Sequence, residues 1–371
     1  MEPIEKSEPR RDLLKKAILP AVVAVGATAA FVATALRTRP EPKTPAPSRP
    51  PAPGASAPAS GPAAVPAAST SGAGLERQYD LALVIGGAGE GKFSASLAGI
   101  AVGPGDSILA LGDGDVRTFG PDGKLLRRWK APDGAMAIAA GPDGRILLGR
   151  PGRVESFDAS GAALGGFDTG APGRPAAVTA LKAQGGEILA ADGSARLIRR
   201  HDAAGKPLGE IGTQNFTKCF ILPNRSLDFG ILPDGTVIAG DSGRHLVTAW
   251  ARDGAPRGSF GKFGMRDPAD FTGCCNPVNI AMGPEGTIIT GEKAPARVKV
   301  YAQGSRLLAL IGPENFDQSN SALPVACDGK GRIIAADPAR REIRVFARTD
   351  GPGAGTGTGG PVPQDSKDPP R

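Results

Sequence analysis

Between residues 78 and 350 the chain repeats one hydrophobic pattern six times: an apolar pair, a tight turn, a second apolar run, then an alternating segment ending in an aromatic-type position. The first anchors are Ile100, Ile138, Ala180, Phe229, Ile280 and Val325. Eight residues after each stands Ile108, Ile146, Ile188, Val237, Ile288 or Ile333. The third anchors, Phe119, Phe157, His201, Trp250, Tyr301 and Phe346, follow the first by 19, 19, 21, 21, 21 and 21 residues. The connecting turns, such as Leu232-Pro233-Asp234-Gly235 and Gly283-Pro284-Glu285-Gly286, put Pro where φ is fixed and Gly where φ can turn positive. Alternation, as in Arg297-Val298-Lys299-Val300-Tyr301, predicts strands with one face inward and one toward solvent. Sheets of such strands, recurring every 38 to 51 residues, bury their apolar faces only by stacking on one another. Closing six of them into a ring also protects their edges. The predicted fold is therefore all-β, a six-bladed β-propeller over 78–350.

Ahead of the ring the pattern changes. Residues 1–16 are polar and end in Lys15-Lys16; residues 17–36 carry no charge until Arg37 closes the run. Twenty apolar residues can span a bilayer, and the preceding cations favour an N-terminus left inside. This segment is expected to be a retained transmembrane signal-anchor helix. Ala27-Thr28-Ala29 and Ala33-Thr34-Ala35 also suit cleavage, which would give a secreted protein. Residues 37–77, rich in Pro, Ala and Ser, read as a semi-extended linker, and residues 351–371 as a disordered tail. The expected location is thus membrane-anchored, with the propeller in the periplasm or outside the cell.

The 371 residues include 54 Gly and 36 Pro, many of them in the two tails. Of the net charge of +7, +3 lies in residues 1–76 and +4 in the rest, with no basic stripe interleaved with aromatics. Nucleic acid is not an expected partner.

Two resemblances sharpen this picture. Arg10-Arg11-Asp12-Leu13-Leu14-Lys15 resembles a twin-arginine export signal, with Leu13 where Phe is usual, and the resemblance implies export of an already folded protein. Gly99-Ile100-Ala101-Val102 and Asp241-Ser242-Gly243-Arg244-His245-Leu246-Val247 resemble the NHL-repeat consensus, which covers nearly all of 78–350. That resemblance implies that Gln78 to Ile85 closes the ring as an outer strand of the last blade. A WD-repeat propeller fits less well, because the chain has two Trp and no repeated Trp-Asp.

Candidate chemistry is sparse. Gly86-Gly87-Ala88-Gly89-Glu90-Gly91-Lys92 matches a phosphate-cradling loop for seven places, but Phe93 replaces the hydroxyl that would hold Mg²⁺, and a strand follows instead of a helix. It reads as a connection, and no nucleotide is expected. His201 and His245 fill repeat positions and read as packing residues. Asp228 and Asn279 lie in or beside inner strands, where calcium-dependent, lactonase-like hydrolases carry their ligands. Aligned by the following turn, both stand one residue from the ligand place, and such an offset turns a strand side chain to the other face.

The connections before the fourth and fifth repeats are the longest: 28 residues from His201 to Phe229 and 30 from Trp250 to Ile280, against 19 to 24 elsewhere. They carry Cys219 and Cys274-Cys275. Outside the cytoplasm a bridge from Cys219 to Cys274 or Cys275, or a ring within the adjacent pair, is the first reading. A redox or soft-metal site, for copper(I), zinc or an iron–sulfur centre, is the second. Cys327, within an inner strand, reads as a small core residue. Gly273-Cys274-Cys275-Asn276-Pro277, with Gly291-Glu292-Lys293 downstream, resembles a bacterial group of NHL proteins sharing a Gly-Cys-Cys-Asn-Pro element, which implies a common site. Glu292 and Lys293 read as a solvated surface pair. The leading expectation is a binding module for an envelope protein, peptide or glycan. An extracytoplasmic redox or metal-dependent enzyme using the Cys274-Cys275 region comes second, and a lactonase-like hydrolase third. No cofactor is expected with the first, a soft metal with the second, and calcium with the third.

Overall fold

Each repeat is built around tight local turns. In the Leu232–Thr236 turn, Gly235 N donates to Leu232 O at 2.9 Å and Leu232 N to Thr236 O at 2.8 Å. Gly235 stands at φ +86°, a backbone region that L side chains seldom occupy. The strands on either side are thereby returned antiparallel. A computed structural model of the chain describes residues 75–141, 143–212 and 219–349. In it each repeat is a four-stranded antiparallel sheet ordered from the inside outward.

Blade 1 consists of Gly99–Val102, Ile108–Gly112, Asp115–Phe119 and Leu125–Lys130. Blade 2 comprises Ala137–Ala140, Ile146–Arg150, Arg153–Phe157 and Ala163–Asp168, and blade 3 Val178–Gln184, Glu187–Asp192, Leu197–Asp202 and Pro207–Ile211. Blade 4 is built from Phe229–Ile231, Val237–Asp241, Leu246–Trp250 and Pro256–Phe260; blade 5 from Asn279–Met282, Ile288–Glu292, Arg297–Tyr301 and Leu307–Ile311. Blade 6 takes Val325–Cys327, Ile333–Asp337 and Glu342–Arg348 from the end of the repeat region and Tyr79–Ile85 from its beginning. Tyr79–Ile85 runs antiparallel to Glu342–Arg348, with Ile85 opposite Ile343, so the two ends of the region close the ring. The six innermost strands neighbour one another in cyclic order around the axis.

The repeat anchors acquire a common register. Ile108 pairs with Phe119, Ile146 with Phe157, Ile188 with His201, Val237 with Trp250, Ile288 with Tyr301 and Ile333 with Phe346. At each third anchor the ladder to the outermost strand slips by a bulge, which adds twist where the blade must lean on its neighbour. The same position faces an aromatic ring contributed from the preceding blade's side of the seam. The pairs are Phe93–Phe119, Trp129–Phe157, Phe167–His201, Phe220–Trp250, Phe260–Tyr301 and Phe316–Phe346, with centroids 4.8 to 6.2 Å apart. Six buried apolar clusters each span two adjacent blades. Each fully buried Ile, Leu or Phe in them contributes about 1.5–3 kcal/mol.

Among the described residues no helix is long and apolar enough to cross a membrane. Residues 1–16, 17–36, most of the 37–77 linker and the 351–371 tail lie outside the described residues.

Candidate functional site

The connection from Gly261 to Val278 lies against blade 5 and is held by four side chains, one of them its own. Asn276, fully buried, donates through Nδ2 to Thr272 O at 2.6 Å and Lys293 O at 2.7 Å, and its Oδ1 accepts from Lys293 N at 3.0 Å. Arg297 donates to Asp270 O at 3.0 Å and to Thr272 Oγ1 at 3.2 Å. Lys299 donates to Asp270 O at 2.8 Å and Pro268 O at 3.1 Å, and its ammonium lies 4.6 Å from the Phe271 ring centre. Tyr301 adds a bond from its hydroxyl to Ala269 O at 2.8 Å. A connection this long would ordinarily be mobile; here its own carbonyls are consumed by the blade beneath it.

The anchor of this arrangement is Glu292. Its carboxylate meets Arg297 at 2.9 Å and Lys299 at 2.8 Å, and both Glu292 and Lys299 are 0% exposed. Burial pulls the Lys299 ammonium down to about 8 despite the carboxylate beside it. The same burial pushes Glu292 up, against the two cations. The expectation of a solvated Glu292–Lys293 pair is therefore corrected. Likewise Arg297 and Lys299, expected on a solvent face, are buried along with every residue of their strand. The reason is tertiary: the connection covers the outer face of that strand, and the cations survive burial by binding its carbonyls. Lys293 contributes its backbone to Asn276.

This anchoring presents the cysteine pair. Gly273, at φ +74°, approaches Ala294 so closely that a Cβ there would lie 2.3 Å from its carbonyl oxygen. Cys275 is also left-handed, at φ +67°. In an extended strand adjacent side chains point to opposite faces; the left-handed turn brings both sulfurs to one side, Sγ to Sγ at 2.6 Å. Cys274 is exposed and Cys275 buried, and burial followed by the Cys274 sulfur raises the Cys275 thiol pKa. Cys274, Cys275 and Cys327 are present as thiols. Cys219, at the edge of the described residues, gives its carbonyl to Arg244 Nη1 at 3.0 Å.

The other candidates have structural employment. Asp228 and Asn279 do come together, Asn279 Nδ2 donating to Asp228 Oδ2 at 3.1 Å. Asp228 Oδ2 also accepts from Ile280 N at 3.1 Å, while Asn279 Oδ1 accepts from Leu323 N at 3.1 Å. With Thr179, whose hydroxyl donates to Leu227 O at 2.7 Å, they staple the starts of successive inner strands across three seams. In the Gly86–Lys92 connection the carbonyls of Gly91 and Lys92 accept from Arg117 at 3.0 and 2.6 Å. Phe93 is buried against Phe119, so this segment seats a seam aromatic. His201 stacks on Phe167, and its Nε2 lies 3.4 Å from Thr169 Oγ1. His245 packs edge-on to Phe263. No cluster of three or more metal-ligating side chains occurs among the described residues.

Two cavities accompany this architecture. One, of about 250 Å³, lies on the axis toward the ends of the inner strands and is lined by Lys182, Gln184, Met282 and Cys327 among others. Cys327 lines this cavity and also packs against the cluster between blades 5 and 6, with its thiol pushed up to about 12 by burial and then by Asp328. The other, of about 550 Å³, opens between the outer parts of blades 4 and 5. Its apolar floor includes Leu232, Ile238 and Tyr301; Arg257, Lys262 and Asp270 stand along it. Beside it the connection exposes Phe263 (55%) and Met265 (78%).

No protein-family model and no curated relative matches the chain. Among solved structures it is similar to a gluconolactonase of Xanthomonas campestris, at 15% identity and TM-score 0.52, over 69% of this chain and 87% of that one. It is also similar to a chain of the mitotic checkpoint complex, at 12% identity and TM-score 0.50, covering 75% and 95%. A streptogramin B lyase follows at 13% identity and TM-score 0.47, covering 68% and 79%. At these identities the likeness is one of fold: the chain is a six-bladed β-propeller.

Proposed function

We propose that this protein is an NHL-type propeller, tethered outside the cytoplasm by residues 17–36, that binds an acidic peptide segment of an envelope protein. The binding surface is the connection between blades 4 and 5 together with the cleft beside it. The observation that carries this reading is the pairing of exposed Phe263 and Met265 with exposed Lys262 and Arg266 on one rigidly anchored segment. Large apolar side chains left in water beside cations suit a partner with an apolar anchor flanked by carboxylates. The 550 Å³ cleft gives that anchor an apolar floor; along its sides stand Lys262 and Arg257, paired with Asp270 and Asp234, and also Asp267. Anchoring by Asn276, Arg297 and Lys299 lowers the ordering cost of binding. The Gly-Cys-Cys-Asn-Pro element resembles that of a bacterial group of NHL proteins, and the three hydrogen bonds of Asn276 supply a physical role for it.

The test titrates the full chain with a fluorescent Glu-rich peptide bearing one Trp, and with its Lys-rich counterpart. Salt-sensitive binding of the acidic peptide alone is expected, weakened by Lys262→Glu with Arg266→Glu and blocked by Ser259→Trp, which fills the cleft. Equal binding of both peptides, or preference for a neutral oligosaccharide, would overturn the reading. A reporter fused after residue 349 and active only in the cytosol would overturn the tethering.

A further inference from the structure

The Cys274–Cys275 pair lies on the same connection as Phe263 and Met265 but is not among the side chains proposed to contact the peptide, and its geometry is specific. Three independent features converge on it. The left-handed backbone at Cys275 turns the second sulfur onto the side of the first, leaving them 2.6 Å apart. One sulfur is open to solvent and the other is enclosed. The loop is locked in this shape from both sides, by Gly273 against the Ala294 carbonyl and by the three hydrogen bonds of Asn276. A non-glycine residue in the left-handed region persists only where its surroundings hold it there. Nothing in the packing of the ring requires two sulfurs at this point, since the seam clusters on either side of blade 5 are built from other side chains.

We infer that Cys274 and Cys275 form a thiol–disulfide exchange site, in which exposed Cys274 attacks an accessible disulfide and buried Cys275 resolves the adduct. The co-reactant is a disulfide of the type R–S–S–R, either a low-molecular-weight one or one on a protein surface. The Cys274 thiolate bonds to one sulfur; the S–S bond of the co-reactant breaks, and the first R–S⁻ leaves and takes a proton. Cys275 then gives up its proton and attacks the Cys274 sulfur, expelling the second R–S⁻. The two protein thiols lose two protons and two electrons and become a ring disulfide; the co-reactant gains them as two thiols. The raised pKa of Cys275 suits this order, because the enclosed thiol stays protonated until the adduct places an electrophilic sulfur beside it.

The experiment uses the full-length reduced chain, oxidised glutathione as the disulfide, alkylation of residual thiols, and peptide mapping by mass spectrometry. The wild type is expected to lose two thiols, with the new link inside the peptide holding residues 274 and 275, while Cys219 and Cys327 are alkylated. Cys275→Ser is expected to stop at a glutathione adduct on Cys274. Cys274→Ser is expected to react about tenfold more slowly or less, because the enclosed thiol lacks access. Both serines are near-isosteric, and Asn276 holds the loop in each variant; an unchanged melting temperature checks this. A link from Cys219 to either cysteine, a stable Cys274 adduct in the wild type, or the absence of an adduct in Cys275→Ser would each overturn the assignment. These outcomes are separable from peptide binding at Phe263 and Met265, which this assignment does not use.

Discussion

Glu292 and Lys299 meet at 2.8 Å with neither side chain touching solvent, directly beneath the connection that carries the cysteine pair. A third charge, Arg297, shares the same carboxylate. Such a group is costly to assemble and costlier to break, because a cation left alone cannot recover its hydration.

Removing the carboxylate should therefore destabilise more than removing the whole group. Glu292→Ala is expected to cost about 3–5 kcal/mol in urea unfolding. Glu292→Met combined with Lys299→Met should recover most of that loss. A Glu292→Ala protein within about 1 kcal/mol of the parent would show that the carboxylate is not holding the two cations.

Asn276 makes three bonds in a fully buried position, so Asn276→Ala strands two carbonyls and one amide. The expected cost is about 1–3 kcal/mol for a buried polar group left unsatisfied. The local signature is hydrogen exchange, accelerated at the Lys293 amide while the inner strands stay protected. Uniform acceleration throughout the ring would contradict a role confined to the loop.

His201 stands where four other repeats carry Phe, Trp or Tyr at the seam and a fifth carries Phe as well. Burial, assisted by Arg199, lowers its pKa. The folded state then binds fewer protons than the unfolded chain below about pH 6.5, so stability falls as pH drops through that range. His201→Phe is expected to narrow the gap in melting temperature between pH 7.5 and pH 5. An unchanged gap would mean that the acid sensitivity lies elsewhere.

Cys327 faces the axial cavity with its thiol raised to about 12. Below the ordinary thiol pKa it is protonated in both states, and as pH rises from there toward 12 only the unfolded chain ionises. Stability should fall over that interval, and Cys327→Ala should flatten the fall. At pH 8 maleimide should label Cys274 well before Cys327, and equal labelling would contradict the enclosed environment.

Blade 6 depends on Tyr79–Ile85 to cover Ile343, Val345 and Phe346. A chain starting at residue 75 is expected to fold and unfold cooperatively. One starting at residue 86 should aggregate or expose apolar surface, because it uncovers a strand edge as well as a seam.

The blade count and strand register were legible along the chain because each blade is a local hairpin assembly. The spacing of Ile108 from Phe119, or of Ile288 from Tyr301, is set by strand and turn lengths within one repeat. The closing strand was legible too, through the NHL resemblance, and His201 could be read as a seam residue from its place in the period. The connection before blade 5 was legible as the longest in the ring from the spacing of Trp250 and Ile280.

What surrounds that connection could not be read from local pattern. Arg297 and Lys299 sit at alternating positions that in an isolated sheet would face water, and Glu292 ends a strand, where a surface acid is ordinary. Only the folding of Gly261 to Val278 back over blade 5 buries them, a contact between segments up to about 30 residues apart that periodicity does not encode. The same closure turns Cys275 left-handed and sets its sulfur beside that of Cys274. Sequence alone determined the ring, because its energetics repeat every blade. Tertiary structure decided the site, because burial there depends on which segment covers which face.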